Sequence, residues 1–260
     1  MNAPSPDIVY LTQPQQVSMG DAWFEIATID HFWIRRRFEV LRKLTEDIPW
    51  DTLPLAEVGC GSGLLQRQVE DAFGTTVDGF DLNDLALRSS VAQRSPRFCY
   101  DVFERRAELK EKYGAIFLFD VIEHLDDDMA FLDAVLFHVQ SAGMVFINVP
   151  ADPGLFSEYD EAAGHVRRYL SSDLCQLAEK CGCEVLKWTY WGLPLRLLLR
   201  LRKRRLAGQR DKDAILRDGF SPRHGLVNRL LMLFSRLERI PQRRAGSSTM
   251  LIAKKVQVIG

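Results

Sequence analysis

Residues 53–63 read Leu-Pro-Leu-Ala-Glu-Val-Gly-Cys-Gly-Ser-Gly, a short apolar run that breaks into three alternating glycines. The run predicts a strand over 53–58. The periodic apolar positions of 64–73 predict a helix behind the turn. Glycine suits such a turn because it adopts backbone angles other residues avoid and lets a ligand approach the main chain. The helix start points unpaired N–H groups at that ligand. Strand, glycine turn and helix in this order open a parallel α/β sheet with a ligand at its edge.

Spacing decides which ligand. A dinucleotide fingerprint needs its third glycine at position 64, which is Leu64; the third glycine is Gly63 instead. Glu57 stands two residues before Gly59. A carboxylate there repels a pyrophosphate and attracts an amino-acid ammonium. The reading is therefore a cofactor with a methionine-like cationic end, held at Glu57, Gly59, Gly61 and Gly63.

Downstream the chain alternates. Strands are predicted at 76–80, 97–100, 115–119 and 144–149, and helices at 85–93 and 129–139. The continuous apolar run 115–119 suits a central strand buried on both faces. Asp81 follows Gly59 by 22 residues, near the offset at which an acid binds ribose hydroxyls. The alternative is that Asp81 only caps the helix that follows. Leu82 beside it is assigned to the same site. Asp101 and Val102 end the third strand, where Asp101 can accept from an adenine amino group or simply be a surface acid. Asp120-Val121-Ile122-Glu123-His124 ends the fourth strand, opposite the glycine turn.

Together these residues resemble class I S-adenosylmethionine (SAM)-dependent methyltransferases. The match covers E-x-G-x-G-x-G at Glu57–Gly63, Gly79-Phe80-Asp81, and Asp120–His124. The last is similar to the D-V-L-E-H segment of the subgroup that includes ubiquinone-biosynthesis O-methyltransferases. The resemblance spans about residues 50–190 and resumes at the last strand. It implies a Rossmann-like seven-stranded sheet, order 3-2-1-4-5-7-6, with strand seven antiparallel and helices on both faces. It also implies SAM against Gly59, Gly61 and Asp81, with Asp120 near its methionine end.

The segment Ser157-x-x-Asp160-x-x-x-Gly164-His165-x-Arg167-Arg168-Tyr169 looks like a motif of bacterial members of that subgroup. Its place after the fifth strand implies an acceptor pocket. His124, His165 and Asp160 are the candidate bases for an acceptor hydroxyl. Arg167 and Arg168, with Tyr169, are the candidate substrate-binding residues, because a guanidinium fork suits a carboxylate or phosphate. A purely structural loop with Tyr169 buried is the competing reading.

Residues 21–47 predict one helix, with Asp21 as its cap and apolar Trp23, Ile26, Ile29, Trp33, Ile34 and Phe38 on one face. It carries His31-Phe32-Trp33-Ile34-Arg35-Arg36-Arg37, whose His-Phe-Trp-x-x-Arg pattern is similar to a stretch that covers the cofactor in related methyltransferases. A lid, or simple packing on the sheet, are the two readings. Ser171 or Ser172 is expected to cap a helix reaching Lys180, with strands at 183–190 and 248–256.

Overall charge is −1, yet residues 193–245 hold 15 Lys/Arg against 4 Asp/Glu, a net of +11 on an otherwise acidic chain. Two amphipathic helices are expected there, one through Leu195–Leu199 and one through Leu226–Leu237. A cap packed on the domain, or contact with an anionic membrane surface or a lipid substrate, both suit this composition. Nucleic acid is disfavoured, for want of any stacking motif.

At 260 residues, 47% of them hydrophobic, the chain can bury one large core. No apolar run nears the ~20 residues of a membrane span, and residues 1–20 lack the basic-then-apolar pattern of a secretory leader. Five cysteines form no disulfide framework and lack a fourth partner for zinc, so no metal is expected and a reducing cytoplasm is. The expected organisation is a tail and covering helix (1–49), a SAM-binding domain (50–192 with 246–260) and a basic insertion (193–245). The expected activity is methyl transfer to an oxygen of a small, lipid-linked or glycan acceptor. A SAM-binding scaffold without catalysis, and a nicotinamide oxidoreductase, are the alternatives.

Overall fold

The computed structural model of the chain describes residues 7–17, 27–220 and 225–256. Its strands are β1 (Ile8–Tyr10), β2 (Leu55–Val58), β3 (Asp78–Asp81), β4 (Arg97–Cys99), β5 (Tyr113–Phe119), β6 (Val139–Pro150), β7 (Cys183–Trp191) and β8 (Ser248–Lys255). Its helices are α1 (Phe32–Leu44), α2 (Leu64–Phe73), α3 (Asp84–Arg88), α4 (Asp128–Leu136), α5 (Glu158–Ala162), α6 (Ser171–Lys180), α7 (Leu195–Leu206), α8 (Lys212–Phe220) and α9 (Gly225–Ser235).

The strands form one sheet in the order β1-β4-β3-β2-β5-β6-β8-β7. Pairings from β1 through β6 are parallel, and β8 runs antiparallel to both β6 and β7. From β4 to β7 this is the expected 3-2-1-4-5-7-6 order. The eighth strand is the difference. Ile8–Tyr10, expected to lie in a tail, pairs with Arg97–Cys99 at the sheet edge. Three residues carry too little periodicity to announce a strand; the ladder offered by β4 makes one.

Every residue of β5 is buried, as a strand covered on both faces must be. On one face Phe117 and Phe146 pack with Trp50, Leu41 of α1 and Val69 of α2. On the other, Ile116 and Leu118 pack with Leu132 and Val135 of α4 and Leu174 of α6. The order reverses between β2 and β5, so a crevice opens beyond their C-terminal ends.

Several elements differ from expectation for identifiable reasons. Helix α1 begins at Phe32, where the His31 ring accepts from the Trp33 N–H at 3.2 Å. Residues 29–30 form a turn, and the expected cap Asp21 lies outside the described residues. Helix α3 stops at Arg88 rather than 93, because the Glu70 carboxylate takes the N–H groups of Gln93, Arg94 and Ser95 and pins that segment as a loop. Neither Ser171 nor Ser172 caps α6: the cap position is Leu170, and the Ser171 hydroxyl bonds Thr249 at 2.6 Å. The basic segment forms three helices instead of two, and Leu237 falls beyond the last of them. It returns to the sheet through the buried Glu238, which accepts from the Gly192 and Leu193 N–H groups and from Arg36.

Candidate active site

Two cavities open at the crevice. One of about 560 Å³ lies over the glycine turn, and one of about 640 Å³ lies beneath the basic segment. Asp120 lines both. The first turns of α1 close them from above: Ile34 and Arg37 look into the smaller cavity, Phe32 and Trp33 into the larger.

In the smaller cavity Gly59 (φ +76°) and Gly61 (φ +52°) take the left-handed angles glycine permits. A Cβ on Gly59 would lie 2.4 Å from a Val121 methyl. Gly63 does not line the cavity. It is the left-handed residue that starts α2, and a Cβ there would meet the Ser90 hydroxyl at 2.4 Å. Its assignment to cofactor contact is therefore corrected to turn geometry. Asp81 Oδ2 accepts the Gly61 N–H at 2.7 Å and Oδ1 the Asn83 N–H at 2.8 Å. Asn83, not Asp81, caps α3. Desolvation raises the Asp81 pKa against the pull of these N–H groups. Leu82, Asp101 and Val102 also border this cavity, with Asp101 accepting from the Phe103 N–H at 3.0 Å.

Glu57 tests whether the cavity suits SAM. It is buried, its Oε2 finds no hydrogen-bond partner among the described residues, and it lines the cavity. Burial pushes its carboxyl up to about 8, with Arg37 opposing and the charges of Asp81 and Asp120 adding. An orphaned buried carboxylate is costly unless a ligand cation compensates it. An amino-acid ammonium does so. Arg37 Nη1 meets Asp120 Oδ2 at 2.5 Å, and its guanidinium lies over the Trp33 and Phe119 rings. The residues present thus fit the zwitterionic end and the ribose of SAM.

The larger cavity contains the His165 loop. His165 Nδ1 lies 3.1 Å from Asp160 Oδ1. Asp160 is fully buried and also accepts from Arg168 Nε at 2.8 Å and from the Ser157 N–H at 2.9 Å. Burial alone would raise its pKa; the His165 hydrogen bond and the Arg168 charge outweigh burial and hold it at about 2. A carboxylate that stays ionised accepts only, so His165 Nδ1 donates to it. Asp160 does not line the cavity, which corrects it from candidate base to the residue that orients His165. His165 Nε2 lies 4.0 Å from Glu123 Oε1. Glu123 is fully buried with neither oxygen hydrogen-bonded among the described residues, and burial and then Asp120 raise its pKa.

His124 lines the smaller cavity and donates through Nδ1 to the Gly164 carbonyl at 3.1 Å. Burial and the neighbouring His165 lower its pKa to about 3, a poor value for a base. Glu123, His124 and His165 bring ligand atoms within 4.8 Å of one another, a donor set that could hold a metal and that their separation in sequence had hidden. The three residues assigned to substrate divide. Arg168 lines the larger cavity but is committed to Asp160 and to the Ala151 carbonyl. Arg167 and Tyr169 line neither cavity: both bind Asp128, and Tyr169 is buried. These two make the contacts of the structural reading of the loop. Arg37, Glu123 and Arg202 of the two cavities received no site role from sequence. The His31–Arg37 and Asp120–His124 stretches contain the first two, while Arg202 sits in a run of leucines and basic residues that carries no motif.

A family model described as a methyltransferase domain matches residues 32–187. The ubiquinone biosynthesis O-methyltransferase of Brucella anthropi is 31% identical over 104 residues, 38% of this chain and 42% of that protein. The match thus spans less than half of that relative. Among solved structures, magnesium protoporphyrin IX methyltransferase of Synechocystis with bound S-adenosylhomocysteine superposes with a TM-score of 0.54 at 14% identity, over 90% of this chain and 93% of that one. A SAM-dependent methyltransferase of Archaeoglobus fulgidus gives 0.53 at 15% identity, over 85% and 94%. At such identities these two structures speak to the fold alone.

Proposed function

The chain belongs to the methyltransferase-domain family of SAM-dependent enzymes, and from that premise we propose that it methylates an oxygen of an acceptor bound in the larger cavity. The observation that carries this reading is Asp120, the wall residue common to both cavities. A donor in one and an acceptor in the other would meet at that point.

Glu57 is the group for the donor's ammonium, Arg37 for its carboxylate and Asp81 for its ribose hydroxyls. Bound there, SAM supplies a methyl group on a sulfonium that is already an activated leaving group. What remains for the chain is positioning, desolvation and one proton. His165 Nε2, oriented by Asp160, is the acceptor for the hydroxyl proton. Glu123 Oε1 lies 4.0 Å from that nitrogen. Helix α1, carrying Trp33 and Arg37, forms the cover over both ligands.

The larger cavity is walled by leucines of α7 and α9, which supports the lipid-linked acceptor over the glycan. Leu198, Leu201 and Val227 belong both to that wall and to the exposed surface. On α9, Leu226 and Leu230 are 68% and 56% exposed on one face. With a net charge of +11 over 193–245, this rim suits an anionic lipid surface. No helix among the described residues is long and apolar enough to cross a membrane, so the contact proposed is peripheral.

The test of activity is incubation with isotopically labelled SAM and a total lipid extract, read by mass spectrometry for labelled products and by S-adenosylhomocysteine release. A labelled lipid is expected. SAM binding without any S-adenosylhomocysteine product would favour a scaffold. For the rim, retention on anionic vesicles that is lost on neutral ones is expected; no retention at low salt rejects it.

A further inference from the structure

We propose that the larger cavity holds an anion subsite built on Arg202, and that its ligand is an amphiphile: an apolar body carrying a carboxylate or phosphate. This rests on the reading of that cavity as the acceptor's.

Arg202 lies on α7 and lines the cavity. Its guanidinium carbon sits 3.8 Å from the centre of the Tyr159 ring, and Nη1 donates to the Gly219 carbonyl at 3.0 Å. Its Nε is buried without a hydrogen-bond partner, and no carboxylate among the described residues lies within ion-pair distance of it. The contrast with three buried arginines is direct. Arg36 has Glu238, Arg37 has Asp120 and Arg168 has Asp160. Enclosing a guanidinium without its counter-charge is expensive, and a bound anion removes that cost. The guanidinium is also held in place beforehand. Gly219 packs so closely on Tyr159 that a Cβ there would lie 2.4 Å from the ring, so α8 clamps the stacked pair.

The other charges facing the cavity sharpen the class. Arg205, three residues on, adds a second guanidinium, partly offset by Asp218 at 3.8 Å. Asp120 and Glu123 line it as well, the latter beside His165. Leu195, Leu198, Leu199, Leu206 and Leu231 supply wall that a free inorganic anion would leave unused. A neutral lipid would fill that wall and leave Arg202 uncompensated.

The wild-type chain without SAM is titrated with decanoate, decyl phosphate, decanol, decyltrimethylammonium and inorganic phosphate. Calorimetry reads binding, with the fluorescence of Trp33, which lines the cavity, as a second signal. The two anionic amphiphiles are expected to bind roughly tenfold or more tighter than decanol, the increment of a charge-assisted hydrogen bond. The cation is expected not to bind. Their order relative to each other assigns carboxylate or phosphate. Arg202→Gln should erase the preference and leave decanol affinity in place, and Arg202→Lys should restore part of it. Equal binding of decanoate and decanol by the wild-type chain overturns the subsite. Inorganic phosphate matching decyl phosphate overturns the amphiphile. The wild-type series needs no variant to fold. Nothing in it requires turnover, so a failed methyl-transfer assay would overturn the proposed activity while the subsite stands or falls on these titrations.

Discussion

Arg37 of α1 and Asp120 at the end of β5, 83 residues apart, form a nearly enclosed ion pair at the point where the two cavities meet. Asp120 holds a left-handed backbone (φ +60°) and also accepts from Asn148 Nδ2 at 2.8 Å, while Asn148 accepts from Trp191 Nε1 at 2.9 Å. Trp191 in turn packs against Trp33 of α1, ring centres 5.3 Å apart. Helix α1 is thus fastened to the C-terminal edge of the sheet. Removing the guanidinium with Arg37→Leu leaves Asp120 charged and enclosed, at an expected cost of about 3 kcal/mol. Urea unfolding measures it, and SAM affinity should fall in parallel. Unchanged stability would mean that the pair contributes nothing net.

Glu57 makes SAM binding depend on pH. In the free protein its raised pKa keeps a proton on the carboxyl between its ordinary value and about 8, where the unfolded chain has lost it. Stability should therefore fall as pH rises through that window. An ammonium ligand favours the ionised form, so binding releases the proton and affinity should climb toward pH 8, then level. Calorimetry in two buffers of different ionisation enthalpy counts the proton. Glu57→Gln should abolish its release and weaken binding.

For His165, replacement by Gln should lower kcat by roughly two orders of magnitude or more, the range for losing a positioned base, with SAM affinity essentially unchanged. Asp160→Asn should also slow turnover, since an amide no longer holds the Nδ1 proton in place. It should in addition lower Tm, because Arg168 loses its buried partner. Full activity in His165→Gln would assign the proton to another group.

Gly59 admits no side chain. An alanine there would combine a left-handed backbone with a Cβ 2.4 Å from Val121. The expected loss is about 1–3 kcal/mol, visible as a lower Tm, with little further rise on adding SAM. The same change at Gly74, which is left-handed but open, should cost only the backbone strain.

The local chemistry of this protein was legible in its residues. Glycines at 59 and 61 with Glu57 and Asp81 need one turn and one strand end to meet, and short-range geometry brings them there. The alternation of apolar runs likewise determined the parallel sheet and its core, because burial on both faces requires it. The three-residue β1, the early end of α3 and the third helix of the basic segment escaped, since pairing partners distant in sequence stabilise them. The acceptor side was decided by tertiary structure alone. Sequence placed Asp160 and His165 as bases and Arg167, Arg168 and Tyr169 as substrate-binding residues, all in one motif. Only the fold turned His165 toward the cavity, put Asp160 behind it, and committed Arg167 and Tyr169 to Asp128. It also brought Arg37 to Asp120 and left Arg202 without a carboxylate among the described residues. The physical reason is range: a turn's backbone angles follow from its own residues, whereas the partner of a buried charge depends on which distant elements the core brings together.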